Sequence, residues 1–339
     1  MTSDPSPGSS AGSLPGEFEV IRRYFAPLAK AMPGALDLTD DACTWQPGAG
    51  EELVLTTDAL MADVHFRRSD PADLVARKML RVNLSDLAAK GAKPAGYLMT
   101  VAIDAAVDEK WLRDFADGLA ADQQLFDVHL MGGDTVKTTG PLSLSLTAIG
   151  TVPQGTAMRR KGARPGDRLF VTGTIGDGYL GLQVLRHQYL QLTATHRQFL
   201  TARYQLPEPR LAFGQALRDQ QIASAAMDVS DGLVADLGHL AKASGCGALL
   251  RAAAMPLSAP AAELVADTPD LLLDLMTGGD DYEILFAVAP DRVSDLQALA
   301  RKLGQAVTEI GEFIAGDEIR IVDRDDQAIQ LIRRGYLHF

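Results

Sequence analysis

Aspartates recur along this sequence where a strand ends or within an apolar helix face: Asp40 and Asp41 in TDDAC, Asp58 in TTDAL, Asp86 in NLSDLAAKG, Asp134 in GGDT, Asp228 and Asp231 in MDVSDG. The segment AMDVSDGLVADLGHL (226–240) runs from a strand pattern into a helix pattern and carries Asp228, Asp231 and Asp236 with no Lys or Arg among them. Two carboxylates about 4 Å apart repel by ~4 kcal/mol at an effective dielectric of ~20, so a converging set must take up protons or a cation. Oxygen donors without accompanying Cys or paired His suit magnesium, calcium or manganese rather than zinc. Magnesium commonly takes one or two carboxylates and completes its shell with water and phosphate oxygens. The chemistry implied is an acidic protein handling a polyanion through divalent ions.

Each aspartate also has an ordinary structural use. Asp40 or Asp41 suits an Asx-turn, Ser230 or Asp231 a helix cap, and Asp134 a turn after Gly132-Gly133. Asp86 sits late in an apolar helix face, where the helix dipole disfavours an anion by ~0.3–1 kcal/mol. Lys78 and Arg81 are its candidate salt-bridge partners. GTIGDG (173–178) follows the strand RLFVT and reads either as an ordinary turn or as backbone approaching a phosphate. The basic run Arg159, Arg160, Lys161 reads either as a solvated loop or as a phosphate contact.

The elements that must position these groups follow from periodicity. The spacing predicts a short amphipathic helix over Gly16–Met32 with Phe18, Ile21, Phe25 and Leu28 on one side. A helix over 71–94 begins at Pro71 and is stopped by Gly91 and Pro94; the strand GYLMTVAI, a helix over 109–125 and the strand DVHLMGGD follow. In LSLSLTAIGTV, Leu142, Leu144 and Leu146 alternate with Ser143, Ser145 and Thr147, as in a sheet with one polar face. The pattern changes at Val152-Pro153, which divides a first domain (16–152) from a second (153–339) after a Ser/Pro/Gly-rich tail (1–15) expected to be disordered. Both halves mix strands and helices without strict alternation, so the expected class is α+β.

Composition narrows the function. The 339-residue chain carries a net charge of −12, which argues against nucleic-acid binding. Two cysteines make no disulfide framework, no apolar run is long enough to span a membrane, and the N-terminus lacks a signal core. A cytoplasmic setting is expected. The sequence has no P-loop, no kinase HRD or DFG signature and no HExxH.

Taken in order, GEFEVIRRYF, TDDAC, TTDALMADVHF, NLSDLAAKGAKP, MGGDT, RKGARPGD, VTGTIGD, MDVSDGLVADLGHL, TGGDDYEILF and GYLHF resemble the thiamine-monophosphate kinase family. The resemblance covers Gly16 to Phe339. It implies the two-domain, α+β fold of the aminoimidazole ribonucleotide synthetase-like superfamily, with an N-terminal sheet that packs in a homodimer and an ATP site unrelated to the P-loop. The implied activity is ATP-dependent phosphorylation of thiamine monophosphate to thiamine diphosphate, with no covalent nucleophile. By the same resemblance, several magnesium ions are held by Asp41, Asp58, Asp86, Asp134, Asp228 and Asp231 with Thr56 and Thr57. The nucleotide side falls on Gly133, Asp134, Arg160 and Ser230, and the substrate contacts on His65, Asp280 and Tyr336. Two positions depart from the family pattern: Thr39 stands where a glycine is usual, and Asp280 where Glu is usual. The rival readings are a superfamily enzyme acting on a formylglycinamidine ribonucleotide or on selenide, and a non-catalytic metal- or nucleotide-binding regulator. Cys43, in TDDACTW, lacks the glycine-rich lysine segment expected of the selenide enzyme.

Overall fold

The computed structural model describes residues 14–330 and Gly335; most of the expected tail, and Tyr336, lie outside the described residues. The chain divides into two compact units: Met1–Trp45, Ala59–Met79 and Gly96–Leu146 form one, and Gln46–Asp58, Leu80–Ala95 and Thr147–Phe339 the other. Both mix helices with sheet, as the α+β expectation requires.

The first half of the chain opens on α1 (Glu17–Val20), which widens into a π turn at Ile21–Phe25 and tightens into a 3-10 turn at Ala26–Ala29. This breaks the single amphipathic helix expected over 16–32. The changes of pitch, with Pro27 inside the last turn, shift the buried face to Val20, Tyr24, Phe25 and Leu28 and leave Phe18 83% exposed. Then come β1 (Glu51–Met61), α2 (Ala72–Ala89), β2 (Lys93–Ile103), α3 (Glu109–Phe126), β3 (His129–Lys137) and β4 (Ser143–Pro153). The four strands form one sheet in the order β1-β4-β2-β3. Helix α2 ends at Gly91, whose φ of +69° only glycine adopts without strain. The parallel β2–β3 register sets Thr100 opposite Asp134, so Asp134 is a strand residue and not a turn residue.

The second half supplies β5 (Arg168–Thr172), α4 (Asp177–Leu185), α5 (Ala194–Gln205), α6 (Leu211–Asp219), β6 (Ala223–Asp228) and α7 (Leu233–Ser244). It continues with β7 (Gly247–Arg251), α8 (Ala259–Asp267), α9 (Leu271–Thr277), β8 (Ile284–Val288), α10 (Val293–Leu303), β9 (Val307–Ile314) and β10 (Ile319–Val322). Six strands pair in the order β10-β7-β9-β5-β8-β6, all antiparallel except β10 with β7. The uninterrupted apolar run ILFAV of β8 follows from burial on both faces. Leu285 and Ala287 enter one core with Leu180, Leu237 and Ile310, while Ile284, Phe286 and Val288 enter the other with Phe213 and Leu296. Among the described residues no helix is long and apolar enough to cross a membrane.

Candidate active site

The second unit brings four of the sequence-singled aspartates into one electrostatic neighbourhood. Strand β6 ends on Asp228, which is 4% exposed and accepts a hydrogen bond of 2.8 Å from the Ser85 hydroxyl. The next residue on α2, Asp86, accepts one of 2.6 Å from the Thr56 hydroxyl of β1. Lys78 and Arg81 turn elsewhere, to the carbonyls of His65 and Pro207. Two residues beyond Thr56, Asp58 has its pKa pushed up to about 6, first by burial and then by the charges of Asp86 and Asp231. Burial, followed by Asp86 and Asp236, pushes Asp228 up as well. Thr57 accepts a hydrogen bond of 3.1 Å from Thr147.

The turn between β6 and α7 shows why Ser230 and Asp231 are available for chemistry. The helix cap is Gly232, with no side-chain hydrogen bond. Asp236 reaches back instead and accepts the backbone N–H of Ser230 at 2.9 Å and of Asp231 at 3.1 Å. Burial, with the nearby Asp231 charge, raises Asp236 to about 7. Neither Ser230 nor Asp231 takes the capping role that the sequence allowed, and Asp236 ties down the turn ahead of the helix instead.

Asp280 reaches the same neighbourhood on a strained strand entry. Its N–H donates to the Ser230 carbonyl at 2.9 Å, Tyr282 N–H to Val229 at 2.8 Å, and Val229 N–H to Glu283 at 2.8 Å. The approach needs Gly279, since a Cβ there would stand 2.3 Å from the Ser230 carbonyl oxygen. Asp280 and Tyr282 hold left-handed φ of +70° and +53°, a conformation costing on the order of 1 kcal/mol or more each that clusters at functional sites. The Tyr282 hydroxyl donates to Asp280 at 3.3 Å. Its phenol is pushed up by burial and then by Asp280, Asp58 and Asp228, which ties Asp280 to the aspartate set.

The following residues are scaffold. Asp281 accepts the N–H of Gly176 at 2.9 Å and of Gly178 at 3.2 Å. These GTIGDG amides are therefore already occupied by an internal carboxyl group, so the turn reading prevails for them. Sequence reasoning missed Asp281, Tyr282, Glu283 and Ser85 as contributors; the nearest signal was their position inside TGGDDYE and NLSD.

Arg160 also acts within this unit, where its charge partly offsets the upward shift of Asp236. Its segment is tied down by Ser244, whose hydroxyl donates to the Arg160 carbonyl at 3.0 Å, and by Ala226 N–H donating to Arg159 at 2.8 Å.

The remaining predicted residues lie in the first unit. Asp40, Asp41, Gly133 and Asp134 line a pocket of about 110 Å³ with Phe25, Cys43, Met99 and Met131. A Cβ at Gly133 would stand 1.9 Å from the Met99 carbonyl oxygen, so only glycine permits that strand approach. His65 closes a tight loop: its Nδ1 accepts the Met61 N–H at 3.1 Å, and its carbonyl accepts from Lys78 at 3.1 Å.

The donor chemistry of the aspartate set suits a hard divalent cation. Among the described residues, no three carboxylate, imidazole or thiolate groups stand close enough to hold one ion together. A divalent ion here would use one or two carboxylates and complete its shell with water and phosphate, the usual habit of magnesium. Ionising Asp58 costs more in the folded than in the unfolded chain, because its pKa is raised from 3.8 to about 6. Asp58→Asn should therefore stabilise the metal-free protein at pH above 7 by about 3 kcal/mol. Urea unfolding in the presence of a chelator measures this, and an unchanged or lowered stability would refute the crowding of charge.

Comparison with known proteins places this site in a class. Residues 39–152 match the family model "AIR synthase related protein, N-terminal domain", and residues 164–324 its C-terminal counterpart. The fold and site thus define a two-domain AIR synthase related protein. The thiamine-monophosphate kinase of Caulobacter vibrioides is 44% identical, covering 97% of this chain and 92% of its own. The crystal structure of thiamine-monophosphate kinase from Stenotrophomonas maltophilia K279a superposes with a TM-score of 0.77 at 39% identity, covering 86% of this chain and 91% of that one. AaThiL complexed with AMPPCP and TMP gives 0.75 at 28% identity, covering 96% and 97%. The chain belongs to the thiamine-monophosphate kinase family.

Proposed function

We propose that this protein phosphorylates thiamine monophosphate with ATP, giving thiamine diphosphate as a step in thiamine diphosphate biosynthesis. The observation that carries the reading is the set Asp58, Asp86, Asp228 and Asp231, whose charges bear on one another, with Asp58, Asp228 and Asp280 all bearing on Tyr282. The relative captured with AMPPCP and TMP supports the pair of substrates. Bound divalent ions, several per site in our reading, would neutralise the phosphates and favour in-line transfer of the γ-phosphoryl group. The residues assigned to hold them are Asp41, Thr56, Thr57, Asp58, Asp86, Asp134, Asp228 and Asp231, with Gly133, Asp134, Arg160 and Ser230 on the nucleotide. Asp280 and His65 are assigned to the substrate. The substrate phosphate is already ionised, so the chain need supply neither a covalent nucleophile nor a strong general base.

We assign the metal and nucleotide role chiefly to residues 16–152 and the substrate-contacting segment to residues 153–339. A homodimer and a cytoplasmic location belong to the same reading. Along β1, Leu53 and Leu55 are 45% and 60% exposed, which suits an apolar sheet face that meets a second copy. Incubating purified protein with ATP, magnesium and thiamine monophosphate, and following thiamine diphosphate by chromatography, tests the activity. Product from the monophosphate and none from free thiamine supports it; turnover of neither, with nucleotide still bound, favours a regulator. Tyr336 is assigned to stacking on the vitamin ring, so Tyr336→Ala should raise KM more than it lowers kcat. Steady-state kinetics showing the reverse split would remove that role.

A further inference from the structure

One cation inside the second unit is not used by this scheme. Lys90 extends the last turn of α2: its N–H donates to the Asp86 carbonyl at 3.1 Å, so the two side chains stand four residues apart on one face. Its part-buried ammonium donates at 3.0 Å to the carbonyl of Ala226, two residues before Asp228 on β6. That acceptor is neutral, so the positive charge is left to act through space. Burial disfavours its charge first and holds its pKa below the usual lysine value; of the charged groups that bear on it, Asp228 and Asp86 favour the ammonium and Arg160 opposes it. An ammonium held this way is paired with a site rather than with one carboxylate.

We infer that Lys90 is a resident cation of the aspartate site and lowers the affinity of that site for divalent ions. The inference rests on the proposed metal-holding role of Asp86 and Asp228. With Lys90 in place, part of the carboxylate charge is offset before any ion arrives. Divalent ions are then held weakly by the protein alone and firmly only when they come with the oxygens of a polyphosphate. Removing the charge removes a repulsion on an incoming dication.

The test is titration of the full-length protein with Mn²⁺ alone, without nucleotide, followed by electron paramagnetic resonance of the free ion. Lys90→Gln keeps a donor for the Ala226 carbonyl and loses the charge; Lys90→Arg keeps the charge. K90Q should bind Mn²⁺ about tenfold more tightly than the unaltered protein, and K90R within about twofold of it. Unchanged or weaker binding by K90Q, or an equal gain in K90R, overturns the inference while leaving the metal reading intact. Absence of Mn²⁺ binding in both the unaltered protein and K90Q overturns both. Circular dichroism reports folding of each variant. If K90Q unfolds, its refolding on addition of Mn²⁺ supports the charge-compensation role, and failure of the ion to restore the fold overturns it.

Discussion

Asp86→Asn and Asp231→Asn should each lower turnover of thiamine monophosphate by on the order of a hundredfold or more while the protein stays folded. The two substitutions probe the same proposition from different elements, one on α2 and one in the turn that precedes α7. Neither carboxylate is needed for local structure. Asp86 accepts one hydroxyl hydrogen bond from Thr56, which an amide oxygen can accept equally well. Asp231 contributes no side-chain cap, because Gly232 occupies the cap position and Asp236 receives the Asp231 N–H. Both charges press on Asp58, so losing either relieves repulsion in the metal-free state. The expected pattern is thus lower activity with equal or higher melting temperature, and a higher magnesium concentration for half-maximal rate. Near-normal turnover in both variants would show that these carboxylates do not hold the ions.

Much of this site was legible because the relevant physics is local. The strand-to-helix change in MDVSDGLVADLGHL fixes where Asp228 ends β6, and the odd placing of a carboxylate late in α2 marks Asp86. The alternation of leucine with serine and threonine likewise fixes β4, where Leu144 and Leu146 are buried and Ser143 and Ser145 are half-buried. What sequence did not disclose depends on partners distant in the chain or on small changes of backbone pitch. The π turn after Val20 moves Phe18 to solvent although its spacing matches an inward stripe. The amides of GTIGDG look ready for a phosphate until Asp281, more than a hundred residues later, is found to occupy them. Lys90 illustrates the limit in another way. Its spacing from Asp86 is visible in SDLAAKG, but only the packing of α2 beside β6 brings it near Asp228.

Glu283→Gln should destabilise the protein by about 3–5 kcal/mol, the cost of leaving buried charge without its counter-charge. The Glu283 carboxylate is wholly buried and accepts hydrogen bonds from Thr172 at 2.6 Å, from Arg203 at 2.8 Å and from Arg210 at 2.7 and 2.6 Å. Both arginine side chains are only 13% exposed, and the other acid beside them, the largely exposed Glu208 at 2.8 Å from Arg210 and 4.0 Å from Arg203, replaces only part of the lost charge. The effect should reach the site as well, because the Glu283 carbonyl accepts the Val229 N–H and its chain neighbours hold Tyr282 and Asp280 beside Ser230. Urea unfolding at neutral pH measures the stability, with KM for the phosphate acceptor as the second readout. Removing one guanidinium together with the carboxylate charge, in Glu283→Gln with Arg203→Met, should restore part of the lost stability, since the residual excess of positive charge is then smaller. A loss below about 1 kcal/mol in the single variant would mean that Glu208 and water, rather than Glu283, balance the two arginines, and the strained entry to β8 would then need another support.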